Sequence, residues 1–108
     1  MTLSTHVLDA TSGHPAVGVQ VRLEGTGGDG WTPAAQGSTG PDGRLNLAGE
    51  LSPGLYRITF GSGAYFKARG AATFYPEVTI TFEITEPGGH THVPLLLSPF
   101  AYSTYRGS

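Results

Sequence analysis

Three runs of the chain alternate apolar and polar residues with a period of two, and this alternation constrains the fold more than any other feature. Val17, Val19, Val21 and Leu23 interleave with Gly18, Gln20, Arg22 and Glu24; Tyr56, Ile58 and Phe60 with Leu55, Arg57 and Thr59; Val78, Ile80, Phe82 and Ile84 with Thr79, Thr81 and Glu83. Successive side chains of a strand point to opposite faces, so each run reads as a half-buried strand with one face in a core. Seventeen glycines and eight prolines are spread between the apolar runs, which suits short strands joined by tight turns and opposes long helices. Pro41-Asp42-Gly43 is such a turn, so Arg44 should open a strand over Arg44–Leu47 with its side chain at a sheet rim. Pro53-Gly54 and Pro87-Gly88-Gly89 mark further turns, and residues 25–30 form a loop before a strand within Trp31–Ser38. Adding Leu3–Asp9, Thr91–Leu97 and Tyr102–Arg106 brings the count to about eight strands, the spacing of a sandwich. Only Ala64–Arg69 suits a helical turn, so the expected class is all-β with one short helix.

The length of 108 residues fits a single domain over residues 1–108. Six Lys and Arg residues are scattered within a net charge of −2, which offers no basic stripe for a phosphate backbone and argues against nucleic-acid binding. Without cysteine there is neither a disulfide nor a thiolate, so packing or oligomerisation must stabilise the fold and any chemistry must run on oxygen and nitrogen. No apolar stretch approaches the ~20 residues of a membrane span and no leader pattern opens the sequence, so no membrane partner is expected and a cytoplasmic location is.

Functional groups concentrate near the chain end. Around His92, alternation sends Val93, Leu95 and Leu97 one way and His92, Pro94, Leu96 and Ser98 the other. Both sets contain apolar groups, so the second face needs cover, and a subunit interface carrying His92 is the simplest cover. Tyr105, Arg106 and Ser108 follow where most chains fray. His6 shares a face with Ser4 and Leu8, and taken alone reads as a partly buried structural histidine; His14 sits in a turn and reads as solvated. His90 and His92 have the spacing of two metal ligands. There is no cysteine, His-Glu-x-x-His helix or carboxylate cluster beside them, so no metal or cofactor is expected, and His90 reads as exposed. Gly-x-Ser-x-Gly and Ser-x-x-Lys are both absent, and Lys67 is the single lysine. What remains is histidine acting on water, with Arg44 and Arg106 as cations for a polarised or anionic substrate, although either arginine by itself reads as a solvated surface residue.

Four segments together carry a family likeness: Ser4-Thr-His-Val-Leu-Asp9, Thr39-Gly-Pro-Asp-Gly-Arg44, Phe74-Tyr-Pro76 and Tyr105-Arg-Gly-Ser108. Over its whole length the chain resembles the transthyretin-related 5-hydroxyisourate hydrolases, and the closing Tyr-Arg-Gly-Ser distinguishes those enzymes from the hormone carrier of the same fold. The resemblance implies a transthyretin-like sandwich of two four-stranded antiparallel sheets with one short helix at Tyr65–Arg69. It also implies a homotetramer with active sites in the channel between dimers, and a small-molecule substrate, 5-hydroxyisourate, opened by water. Carried over by motif, the catalytic residues are His6, Arg44, His92 and Ser108, and the substrate-binding residues His6, Arg44, Tyr105 and Arg106, with no metal and no cofactor. Thr91 departs from the family, many of whose members have an aromatic there; pointing away from the His92 face, it should affect packing more than chemistry. Relatives occur in cytosol, periplasm and peroxisome, and the closing Arg-Gly-Ser is not the peroxisomal Ser-Lys-Leu.

Two other readings compete. A carrier of an aromatic ligand in the central channel would need a wider, more apolar mouth than His6, Arg44, His92 and Tyr105 allow. A sandwich module that only displays loops would leave the polar chain end without a role.

Overall fold

The structure is a computed structural model, and it describes residues 2–27, 29–86 and 88–107. Two sheets face each other across an apolar core. The first is built on β1 (Thr2–Asp9), which runs parallel to β8 (His90–Ser98) along one edge. Its other edge is shared by β5 (Arg44–Ala48) and the two-residue β2 (His14–Pro15), both antiparallel, and β9 (Ala101–Thr104) closes the far side of β8. The second sheet is antiparallel throughout, in the order β4 (Gly30–Ser38), β3 (Gln20–Gly27), β6 (Gly54–Phe60), β7 (Val78–Ile84).

The two-sheet sandwich expected from the sequence is thus present, with two differences in detail: the first sheet has five strands in place of four, counting the two-residue β2, and it is not antiparallel throughout. The first sheet is mixed, because the chain crosses to the second sheet and back between β1 and β8 and so can return in the same direction.

Alternation becomes layering. Leu3, Val7, Val93, Leu95 and Leu97 of the first sheet pack against Val21, Leu23, Ile58, Phe60 and Val78 of the second, all buried. The run beginning at Val17 starts too early, since β3 opens only at Gln20 and Val17 is 44% exposed. Thr39 explains the offset: its hydroxyl donates to the Ala16 carbonyl (2.6 Å) and accepts from the Val19 N–H (2.9 Å), holding residues 16–19 as a turn.

The helix α1 spans Ser62–Lys67, shifted towards the N-terminus from Tyr65–Arg69, and buries Ser62, Tyr65 and Phe66. The Tyr65 hydroxyl donates to Asp9 Oδ2 (2.8 Å) and the Thr11 N–H donates to Asp9 Oδ1 (2.9 Å), which ties the helix to the end of β1. Burial, followed by that hydrogen bond to Asp9, pushes the Tyr65 phenol up to about 12.

The turn at residues 40–43 delivers Arg44 to β1. Gly43 has φ +77° and donates to the Gly40 carbonyl (2.9 Å), while its own carbonyl accepts from the Val7 N–H (2.8 Å). A Cβ on Gly43 would stand 2.5 Å from the Val7 carbonyl oxygen, so both the backbone conformation and the close approach demand glycine. Gly43→Ala should cost about 1–3 kcal/mol from the left-handed backbone alone. The thermal midpoint should fall by several degrees, and an unchanged midpoint would show that the turn relaxes freely.

Candidate functional site

Register assembles one polar group on the outer face of the first sheet. Alternation turns Ser4 and His6 away from the core that holds Leu3 and Val7. The β1–β5 ladder sets Arg44 opposite His6 and Asn46 opposite Ser4, and the parallel β1–β8 ladder sets His92 opposite Ser4 and Pro94 opposite His6. Beyond β9 an antiparallel bridge joins Gly107 to His92, with the Gly107 N–H donating to the His92 carbonyl (2.9 Å). Three segments remote in sequence therefore converge on His92.

The hydroxyl of the buried Ser4 lies 2.8 Å from Nδ1 of His92 and 2.8 Å from Nε2 of His90. The two imidazoles are roughly parallel, 6.4 Å apart between centroids and inclined by 21°. His90 Nδ1 is hydrogen-bonded in turn to the Thr2 hydroxyl. His6 Nε2 is 3.0 Å from the Asp42 carbonyl, which can only accept, so this nitrogen carries a proton. Asp42 also organises Arg44: its Oδ1 accepts the Arg44 backbone N–H (3.0 Å), and its Oδ2 lies 3.8 Å from the guanidinium Nε.

Electrostatics distinguishes His92 within the group. Burial, then the positive charge of Arg44 and the neighbouring His90 and His6, hold its imidazole below the ordinary histidine value. His92 is accordingly neutral at neutral pH and keeps one nitrogen lone pair free to take a proton.

Tyr105 and Arg106 are exposed and border a cleft of about 630 Å³ whose apolar wall includes Ile80 and Phe82 and whose rim includes His90 and His92. Those two β7 residues are only half-buried for that reason, although alternation assigns them to the core side. Of the sequence-predicted residues, His6, Arg44 and His92 share one face, while Tyr105 and Arg106 line the cleft with His92, a cleft that His6 and Arg44 do not line. Ser108 lies outside the described residues. Pro94 is already buried within the chain, leaving Leu8 and Leu96, paired in register and half-buried, as the apolar part of the outer face. His90 and His92 have a hydroxyl between them, and among the described residues no three His, Cys, Asp or Glu side chains gather as a metal cage would require.

Sequence reasoning gave no role to Ser4 or Gly107. Alternation put Ser4 on the His6 face, but its partners stand 86 and 88 positions away. Gly107 contributes by lacking a side chain, because a Cβ there would lie 2.6 Å from Cδ2 of the His92 ring. Gly107→Ala should displace that ring while leaving the sandwich folded. If His92 is the base, we expect a loss of activity of about 10-fold or more, since small misplacements of a catalytic group are costly; wild-type rates would mean that the chain end gives way instead.

The model of the HIUase/Transthyretin family matches residues 3–107. The chain belongs to this family. It is 46% identical to a 5-hydroxyisourate hydrolase of Salmonella dublin, over 98% of this chain and 80% of that one. Among solved structures it is similar to the 5-hydroxyisourate hydrolase of Klebsiella pneumoniae, with a TM-score of 0.88, 39% identity and full coverage of both chains. It is also similar to the transthyretin of Sparus aurata, with a TM-score of 0.92 and 35% identity over 97% of this chain and 95% of that one. Backbone likeness thus spans enzymes and transthyretin alike, and the side chains of the outer face must separate the two.

Proposed function

We propose that this chain hydrolyses 5-hydroxyisourate, opening its six-membered ring to 2-oxo-4-hydroxy-4-carboxy-5-ureidoimidazoline in urate degradation. The observation that carries the reading is His92, a neutral imidazole ringed by His6, Arg44 and Ser4 on one outer face, in a chain 46% identical to a protein named for this activity. A carrier channel gains nothing from such a group, whereas a hydrolase needs a base beside a cation.

In the proposed reaction the water oxygen bonds to a ring carbonyl carbon as His92 Nε2 takes a water proton. The carbonyl oxygen becomes an oxyanion, which the Arg44 guanidinium stabilises. The carbon–nitrogen bond then breaks, the departing ring nitrogen receives the proton back from His92, and the attacked carbon becomes a carboxyl group that stays attached to the opened molecule. His6 contributes to binding. Tyr105 and Arg106 hold the ring, and Ser108 is assigned here from the family motif.

The working form in this proposal is a homotetramer with sites between dimers, in the cytoplasm. Leu8 and Leu96 on the outer face, with Val17 (44% exposed) and Phe100 (67% exposed) after the ends of β2 and β8, supply apolar surface for a second copy to cover.

The test follows the ultraviolet decay of 5-hydroxyisourate, generated from urate by urate oxidase, with and without the protein. A large acceleration proportional to protein supports the hydrolase. A rate equal to spontaneous decay from folded protein would turn attention to ligand binding in the channel.

A further inference from the structure

We infer that Ser4 and His90 are positioning residues that fix which nitrogen of His92 carries the proton, leaving Nε2 bare as the base. The inference rests on the assignment of His92 as the base, and it follows from counting protons along a chain of hydrogen bonds. The Ser4 hydroxyl has one proton, two lone pairs and two imidazole nitrogens at 2.8 Å, so it can donate to only one of them; accepting from both would leave its own proton without a partner among the described residues, so it accepts from the other. With the Ser4 proton so used, protonation of His92 Nδ1 and protonation of His90 Nε2 exclude one another while both rings are neutral.

Two polarities use the Ser4 proton in this chain. In the first, His92 Nδ1–H donates to Ser4, Ser4 donates to His90 Nε2, and His90 Nδ1–H donates to the Thr2 hydroxyl, whose own proton goes to the Gly89 carbonyl at 3.4 Å. Every donor has an acceptor, and the chain ends on a carbonyl that can only accept. In the second, Thr2 donates to His90 Nδ1, His90 Nε2–H to Ser4, and Ser4 to His92 Nδ1. The Gly89 carbonyl then loses its side-chain donor, and His92 bears its proton on Nε2, where it cannot act as a base. The Gly89 carbonyl keeps the Thr2 backbone N–H (3.0 Å) in either case, and the Thr2 hydroxyl at 3.4 Å adds a second, longer contact only in the first arrangement, which tips the balance towards it.

The lock matters because an imidazole free in water prefers its proton on Nε2. Unaided, His92 would hold the tautomer unsuited to the task, just as a general base elsewhere depends on a partner at Nδ1. Among the described residues the His92 hydrogen bond to Ser4 is the one that can reverse this preference. His90, exposed and unused by the proposed reaction, gains a role as the acceptor that polarises Ser4.

The test reads the tautomer directly, by nitrogen-15 imidazole shifts of the whole protein at a pH where His92 is neutral. We expect His92 protonated on Nδ1 in the wild type and shifted towards Nε2 in Ser4→Ala. His92 protonated on Nε2 in the wild type overturns the inference, whatever the variants do. Kinetics give the second arm: loss of an orienting partner of this kind costs roughly 10–100-fold, taken from kcat with KM little changed, and Ser4→Thr, which keeps the hydroxyl, should recover most of it. Ser4→Ala at full kcat, or equal loss in Ser4→Thr with an intact fold, would overturn the positioning role. A wild type that does not accelerate 5-hydroxyisourate decay defeats the proposed function instead, and the shifts still decide the tautomer.

Discussion

His92→Ala is expected to lose about 10²–10⁴-fold in kcat/KM, the usual worth of a positioned general base, with the sandwich intact. The ring is half-buried on the outer face and is not part of the apolar core, so its removal leaves Val93, Leu95 and Leu97 packed as before. Full activity in the variant would remove His92 from the mechanism. The wild-type pH profile checks the same assignment from another side. Burial and the charge of Arg44 disfavour protonated His92, so the base stays unprotonated to lower pH than an ordinary histidine. The acid limb of kcat/KM should therefore fall below the usual imidazole value of roughly 6.5, and an acid limb well above it would assign the base elsewhere.

Much of the fold was legible because burial on one sheet face writes a period of two into the sequence. Val78 to Ile84 reads the same in sequence and structure, as β7. Val17 misled because the pattern persists through a turn that Thr39 organises from the other end of a loop, an interaction with no local trace. The parallel pairing of β1 with β8 was invisible for a similar reason, since alternation specifies faces and not partners. The site divides in the same way. His6, Arg44 and His92 stand out by residue type and by motif. Ser4 acts through two histidines far along the chain, and Gly107 through an atom it lacks, so although both stand in the motif segments, what each does cannot be read before the strands are paired. Asp42 falls between these cases: Pro41-Asp42-Gly43 is plainly a turn, but its backbone carbonyl holding His6 and its carboxylate holding Arg44 become visible only in three dimensions.

Arg44 can be divided into charge and shape by two substitutions. Arg44→Lys keeps the positive charge but loses the planar fork and the Nε that lies 3.8 Å from Asp42. If the guanidinium holds the oxyanion by geometry, kcat should still fall by about 10²–10³-fold, the usual cost of removing an oxyanion donor. Because the cation remains, the acid limb should stay where the wild type has it. Arg44→Gln removes the charge as well. The repulsion that disfavours protonated His92 then disappears, its pKa rises, and the acid limb moves to higher pH in addition to the loss of rate. Near-wild-type kcat in Arg44→Lys would mean that a point charge suffices and that the fork has no part in the transition state. An unmoved acid limb in Arg44→Gln would separate Arg44 from the electrostatics of His92, leaving burial and the two neighbouring histidines to keep that ring neutral.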